Sequence, residues 1–148
     1  TLGAQNQEDG LKLLDNDDGH TEPGKFDGAE ARAAKPGPKT GAGSYVYFAV
    51  DDSFKAGEVM QLTAEVEYFD AAPGTLGLDF DGSDANAPFS GAYTRSPVSA
   101  SLAGARQWKT VKFDLRDARL NNMQNRGADF RLVVQAPEFA VRRVTLRR

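Results

Sequence analysis

The chain has 148 residues, of which 40% are hydrophobic, so it can form one packed domain and is too apolar for a disordered chain. Its formal net charge of −3 provides no basic field for nucleic acid, and the lack of cysteine excludes disulfides, zinc–thiolate sites and thiol nucleophiles. No apolar run is long enough for a membrane span or a signal-peptide core, so we expect a soluble domain without a nucleic-acid or membrane partner.

The beginning of the chain is polar and contains one dense acidic turn. Residues 1–10 are predicted to be a flexible N-terminal segment, and residues 11–148 a single domain. Residues 15–22 carry most of the clustered oxygen ligands, and calcium takes about six to eight such oxygens. The same residues also suit a solvated Asp/Asn turn. Residues 35–43, rich in Gly and Pro, predict a flexible connection between strands.

Period-two alternation of apolar and polar residues dominates the rest of the chain and predicts strands. Residues 45–50 are apolar on both parities, as expected of a strand buried on both faces. In the last strand the inward phase slips between Val141 and Val144, which predicts a β-bulge near Arg142. With no good helix pattern, we predict an all-β fold, a two-sheet antiparallel β-sandwich of the jelly-roll type. The other predicted strands cover residues 60–68, 76–80, 98–102, 111–115 and 130–134.

Several of these segments resemble a known family. They are Tyr-Phe-Ala-Val-Asp-Asp-Ser-Phe at 47–54, Val-Glu-Tyr-Phe-Asp at 66–70, Gln-Trp-Lys-Thr-Val-Lys-Phe-Asp-Leu at 107–115 and Asn-Arg-Gly-Ala-Asp-Phe-Arg at 125–131. Over roughly residues 11 to 146, the chain resembles galactose-binding-like jelly rolls. These are carbohydrate-binding-module-like accessory domains of secreted bacterial polysaccharide-degrading enzymes.

The resemblance implies a non-catalytic module that binds polysaccharide or oligosaccharide. It also implies a neighbouring catalytic domain in the same chain, a secreted, periplasmic or extracellular location, and a structural calcium. The alternative is a spacer that packs against its catalytic neighbour without any sugar affinity of its own.

Candidate sugar-binding residues are aromatic, amide or cationic side chains outside the apolar pattern. Aromatic faces pack on the CH groups of sugars, and amides match hydroxyls as donors and acceptors. The only tryptophan has outward parity, so it is either a stacking platform or a structural residue at the start of its strand. The amides could equally satisfy backbone groups of their loop. The candidates are Trp108, Phe89, Tyr93, Asn122, Gln124 and Arg131.

Candidate calcium ligands are Asp15, Asp17 and Thr21 in the acidic turn, with Glu138 as a remote carboxylate. Glu138 is included because jelly rolls often bring the first and last strands together. The spacing is not that of an EF-hand, since position 12 of the loop would be Phe26.

The sequence favours a non-enzymatic role. The one histidine, His20, lies in the polar turn, and no nucleophile elbow, phosphate loop or zinc-binding pattern is present. Glu65 and Glu67 share the wet face of a strand, where we expect both to be solvated and therefore unsuited to acid catalysis. A small lyase or hydrolase is the remaining enzymatic alternative.

Overall fold

The computed structural model describes residues 1–35, 44–55 and 57–148, and the predicted flexible connection at 35–43 lies outside them from residue 36 onward. Among the described residues, helical structure is limited to short 3-10 turns at Asp52–Phe54, Pro88–Gly91 and Asn125–Gly127. The strands are β1 (Leu11–Leu14), β2 (His20–Phe26), β3 (Ala29–Lys35), β4 (Ser44–Val50), β5 (Met60–Phe69), β6 (Pro73–Phe80), β7 (Thr94–Arg95), β8 (Ala100–Ala103), β9 (Trp108–Ala118), β10 (Phe130–Gln135) and β11 (Ala140–Arg147). No described helix is long and apolar enough to span a membrane.

The strands form two antiparallel sheets that pack face to face, which confirms the predicted all-β sandwich. One sheet has six strands in the order β1-β4-β10-β6-β7, with β8 also pairing with β6. The other has five strands in the order β2-β3-β11-β5-β9. Most neighbours are distant in the chain, so the sheets depend on long-range pairing.

Period-two alternation builds the core between the sheets. Phe48 and Phe130 are paired residues of β4 and β10, and their rings stack at 5.1 Å. Phe113 of the other sheet belongs to the same core cluster and is fully buried. Burying each such ring contributes roughly 1.5 to 3 kcal/mol, which explains why the apolar parity of each strand faces inward.

The predicted β-bulge is confirmed in β11, where the register against β5 shifts between Val141 and Arg143. Up to Val141 the strand also pairs with β3. Beyond the bulge its neighbour on that side is the N-terminal segment, whose Leu2 amide donates to the Arg142 carbonyl at 2.8 Å. The N-terminal segment, β1 and the end of β11 together enclose an apolar-lined cavity of about 400 Å³.

Strands β2 and β3 were not predicted from periodicity. Pro23 and Gly24 stand within β2, which is at the edge of its sheet and pairs only with β3 among the described strands. An edge strand needs donors on one side only, so it tolerates proline. Because β2 is largely polar, its sequence lacks the apolar–polar alternation that predicts a strand.

A buried carboxylate, Asp70, fixes the loop before β9. Its oxygens accept hydrogen bonds from the amides of Ala103, Gly104 and Ala105 at 2.8–3.3 Å and from Lys109 Nζ at 2.8 Å. Burial opposes ionisation, but the hydrogen bonds from Lys109 and these amides outweigh it and lower the pKa of Asp70 to about 2. The loop between β8 and β9 is therefore held by one ionised side chain.

We expect Asp70→Asn to lower the melting temperature at pH 7 by on the order of 5 °C, because an amide replaces a charge that accepts four hydrogen bonds. A lowered pKa contributes stability above about pH 4, the ordinary value for Asp, and this contribution is lost as the pH falls towards 2. The difference in melting temperature between wild type and variant should therefore narrow as the pH falls from 4 to 2. Thermal melts followed by circular dichroism measure this difference. The control is Asp27→Asn, in the exposed turn between β2 and β3, and a gap independent of pH would contradict the assignment.

Candidate functional site

Four polar or aromatic side chains form a row across the outer face of the six-stranded sheet. Tyr47 of β4 pairs in register with Arg131 of β10, Arg131 pairs with Asp79 of β6, and Asp79 pairs with Arg95 of β7. They lie on the parity opposite to the core residues of the same strands. Four strands distant in sequence therefore converge in one constellation.

Arg131 is the centre of this row. Its Nε and Nη2 atoms both lie 3.0 Å from Asp79 Oδ2, and its Nη1 donates to the Tyr47 hydroxyl at 2.9 Å. The guanidinium carbon lies 3.8 Å from the ring centroid of Tyr45 and 4.2 Å from that of Tyr93. Cation–π contact and ion pairing together hold Arg131 in place, and only 14% of its side chain is exposed.

Tyr47 connects Arg131 to the acidic turn. Its hydroxyl donates to Asp18 Oδ2 at 2.9 Å while accepting from Arg131. Burial raises the pKa of Tyr47 far above its ordinary value, more than the hydrogen bond and charge of Arg131 lower it. The hydroxyl therefore stays protonated at neutral pH and serves as both donor and acceptor.

The acidic turn can reach this face because of Gly19. A Cβ atom at Gly19 would lie 2.2 Å from the Tyr45 carbonyl oxygen, so only glycine allows the turn to pack against β4. Asp18 beside it carries one buried oxygen, Oδ1, that has no hydrogen-bond partner among the described residues.

A second wall of the site is the loop between β9 and β10, which two fully buried carboxylates hold. Asp81 accepts from the backbone N–H of Asn121 at 2.6 Å, and Asp129 accepts from the backbone N–H of Asn122 at 2.9 Å. Asp129 also lies 3.2 Å from Lys55 Nζ. Burial raises the pKa of Asp129, and the Val50 and Asn122 amides and Lys55 only partly offset this.

The same loop then contacts the site through Gln124 and Asn125. Gln124 is buried, and its Nε2 donates to the carbonyls of Asp79 and Ala92 at 3.2 and 2.7 Å. The backbone N–H of Asn125 donates to the Tyr93 hydroxyl at 3.0 Å. Loop and sheet are thus connected by direct hydrogen bonds.

Phe89 is the most exposed large apolar side chain among the described residues, at 80%. Its ring meets the Tyr93 ring edge-on at a centroid distance of 5.3 Å. Phe89 and Ser90 both have left-handed backbone, with φ of 55° and 57°. This conformation is uncommon for residues other than glycine and clusters at functional sites. The exposed Phe89 ring therefore packs edge-on against Tyr93, whose own ring lies over Arg131.

Three of the six predicted sugar-binding residues meet in this stack: Phe89, Tyr93 and Arg131. Gln124 lies beneath them. Asn122 belongs elsewhere, since its side chain is taken up by Gly127, Lys55 and Asp129. Asp129 and Arg131 share a parity, yet they have different partners: Asp129 binds Lys55 and Arg131 binds Asp79.

Trp108 lies on the other sheet and is half-buried there. Its Nε1 donates to the Phe26 carbonyl at 3.2 Å, and its ring packs against Phe69 at 5.3 Å. The guanidinium of Arg142 covers it at 4.1 Å from a ring centroid. These contacts are the ones expected if the tryptophan is a structural residue at the start of its strand.

The predicted calcium ligands are only partly brought together. Asp15 Oδ1 accepts from the amide and hydroxyl of Thr21, both at 3.2 Å. Asp17 lies 3.9 Å from Arg126, and Glu138 lies 3.7 Å from Arg106. The described residues contain no group of three or more His, Cys, Asp or Glu side chains placed to hold a metal. As arranged, the four do not fit one calcium cage, and calcium stays a prediction.

Sequence reasoning missed four residues of this site: Tyr45, Tyr47, Asp79 and Arg95. Because β4 is apolar on both parities, the pattern conceals the outward position of Tyr45 and Tyr47. Strand β7 has only two residues, too few for alternation to reveal Arg95. The parity of each strand shows which side chains share a face only once the strand order is known.

A scan against protein-family models finds no match, and a search of curated proteins finds none either. Among solved structures, the enzymatically active domain of bacteriophage CBA120 tailspike protein 4 is similar, with 11% identity and a TM-score of 0.43. The similarity covers 92% of this chain and 18% of that one. At this level nothing about the site or its function is carried over.

We expect Arg131→Met to lower the free energy of unfolding by about 3 kcal/mol, because it leaves the buried Asp79 carboxylate with Arg95 alone. Urea denaturation measures the loss. The control, Arg126→Met, removes a largely exposed arginine that only approaches Asp17 and should change stability by less than about 0.5 kcal/mol. Equal effects of the two variants would contradict the central role of Arg131.

The calcium hypothesis predicts that EDTA lowers the melting temperature and that added calcium, but not magnesium, restores it. Asp15→Ala should abolish this response, since Asp15 is the carboxylate that lies with Thr21. An identical melting temperature with and without chelator would end the hypothesis.

Proposed function

We propose that this chain is a non-catalytic glycan-binding module that binds sugar on the outer face of the six-stranded sheet. The observation that carries the proposal is the exposed Phe89 ring, which packs edge-on against Tyr93, the ring that lies over Arg131. Pyranose rings present CH groups that pack against aromatic faces, and an exposed aromatic pair on a rigid support suits them.

Hydrogen-bonding groups beside the aromatic pair match sugar hydroxyls. The half-buried Tyr93 hydroxyl and the exposed Asn125 side chain provide both donors and acceptors. Because sheet and loops hold these groups already, binding orders few side chains, which favours affinity.

The wider setting follows the resemblance to galactose-binding-like carbohydrate-binding modules. We infer a neighbouring catalytic domain in the same chain and a secreted, periplasmic or extracellular location. In that setting the module would keep the enzyme on its polysaccharide, and the chemistry would take place in the neighbour.

A second candidate function is a packing domain for that neighbour. The apolar cavity at the β11 bulge favours it, because Leu11, Leu13 and Leu146 are only partly buried there. Partly exposed apolar side chains gathered in one place often mark an interface. This function needs no sugar affinity.

We expect Phe89→Ala to weaken retention on the preferred glycan by on the order of tenfold, because one stacking platform is worth roughly 1 to 1.5 kcal/mol. Affinity electrophoresis through gels containing different polysaccharides measures it. The matched control is Val59→Ala, which shortens another exposed apolar side chain, in the turn before β5.

Three other outcomes are informative. Equal retention of Phe89→Ala and wild type would move the site away from this face. No retention on a broad panel of glycans would contradict glycan binding and favour the packing domain. New reducing ends or unsaturated products after incubation would contradict the non-catalytic part of the proposal.

A further inference from the structure

Arg95 differs from Arg131 in having most of its guanidinium available. Its Nε donates to Asp79 Oδ1, yet 60% of its side chain is exposed. Within the described ranges, neither Nη atom has an acceptor. The eight residues at 36–43 contain no Asp or Glu, so they offer no carboxylate to it either. The outer edge of the guanidinium is therefore an open pair of donors.

The local charges leave this arginine unneutralised. Asp79 carries one negative charge and faces two guanidinium groups, Arg131 at Oδ2 and Arg95 at Oδ1. The row of paired residues thus has one surplus positive charge on this side. Asp18, the nearest other carboxylate in the network, hydrogen-bonds to Tyr47 at the opposite end of the row.

Arg95 also flanks the proposed stacking surface. Tyr93 stands two residues before it and stacks on Arg131 on the same face of the sheet. Gly77 makes room for it, because a Cβ atom there would lie 3.3 Å from Arg95 Nη1. Arg131, enclosed between two tyrosine rings, has no comparable free edge.

We propose that the glycan bound at this face is acidic and that Arg95 binds its carboxylate or sulfate group through the free Nη atoms. This inference rests on the proposed glycan-binding function and names its substrate class. A planar guanidinium fork matches two oxygens of such an anion, whereas a neutral hydroxyl uses one donor at a time. Arg95 is thereby a specificity-determining residue, and Phe89 with Tyr93 supplies the stacking surface.

The test compares three soluble probes of similar chain length by isothermal titration calorimetry: a polyuronate, a sulfated galactan and a neutral galactan. Wild type should bind at least one acidic probe on the order of tenfold more tightly than the neutral one. This preference should weaken as salt is raised. Preference between the two acidic probes tells carboxylate from sulfate.

Two variants assign the preference to Arg95. Arg95→Gln should reduce affinity for the acidic probe by on the order of tenfold and leave the neutral probe unchanged. Arg95→Lys keeps the charge but loses the fork, so it should recover only part of the affinity. The control, Arg147→Gln, removes the same charge from the other sheet, where Arg147 pairs with Thr63 in register.

The titrations distinguish failure of the acidic preference from failure of glycan binding itself. If wild type binds neutral and acidic probes equally and Arg95→Gln changes neither, the glycan-binding function stands and the acidic preference is wrong. If Arg147→Gln costs as much as Arg95→Gln, the preference comes from net charge and not from this site. If no probe binds, both proposals fail together.

Discussion

Buried carboxylates that accept loop amides are the constraint on which the irregular part of this sandwich depends. Strand pairing satisfies the backbone of the sheets, but loops have no such periodic partner. Asp70, Asp81 and Asp129 are fully buried, and each accepts backbone N–H groups from residues outside the regular strands. Burying a charge is costly unless it is hydrogen-bonded, so each carboxylate specifies one loop conformation and little else. The β9–β10 loop, which carries Gln124 and Asn125 of the candidate site, is fixed in this way.

Fixed loops in turn explain how the candidate site exists before any ligand arrives. Asp81 and Asp129 hold the loop from which Asn125 reaches Tyr93, and the sheet holds Arg131 and Asp79 in register. The stack of aromatic rings on Arg131 therefore owes its geometry to two separate sources of rigidity. Such a site loses little conformational entropy on binding, which suits shallow recognition of a flexible ligand. Stability and the proposed recognition share residues here, so we expect substitutions at the centre of the row to affect both.

The sequence predicts which side chains of a strand face the core much better than it predicts which strands lie next to each other. Alternation identified β5, β6, β9 and β10, and the phase slip located the bulge at Arg142, because a period of two fixes which side chains face the core. Strand order depends on long-range pairing, which alternation does not encode. For that reason Arg131 was predicted to face outward, whereas its partner Asp79, 52 residues earlier in the chain, was not identified.

The two outer faces show why exposure on a sheet is a poor guide to a binding surface. The lone tryptophan is on an outward parity, yet Phe69 and Arg142 pack against it, and Arg142 makes a cation–π contact with its ring. On the other sheet Arg131 is likewise covered by Tyr45 and Tyr93, but the stack continues to Phe89, which sits in a loop on left-handed backbone and has no strand neighbour to cover it. A sheet surface tends to cover its own aromatics by cross-strand contacts. The ring that stays open is the one placed beyond the strands, which is why the loop at Phe89, and not the strand at Trp108, carries the proposed recognition.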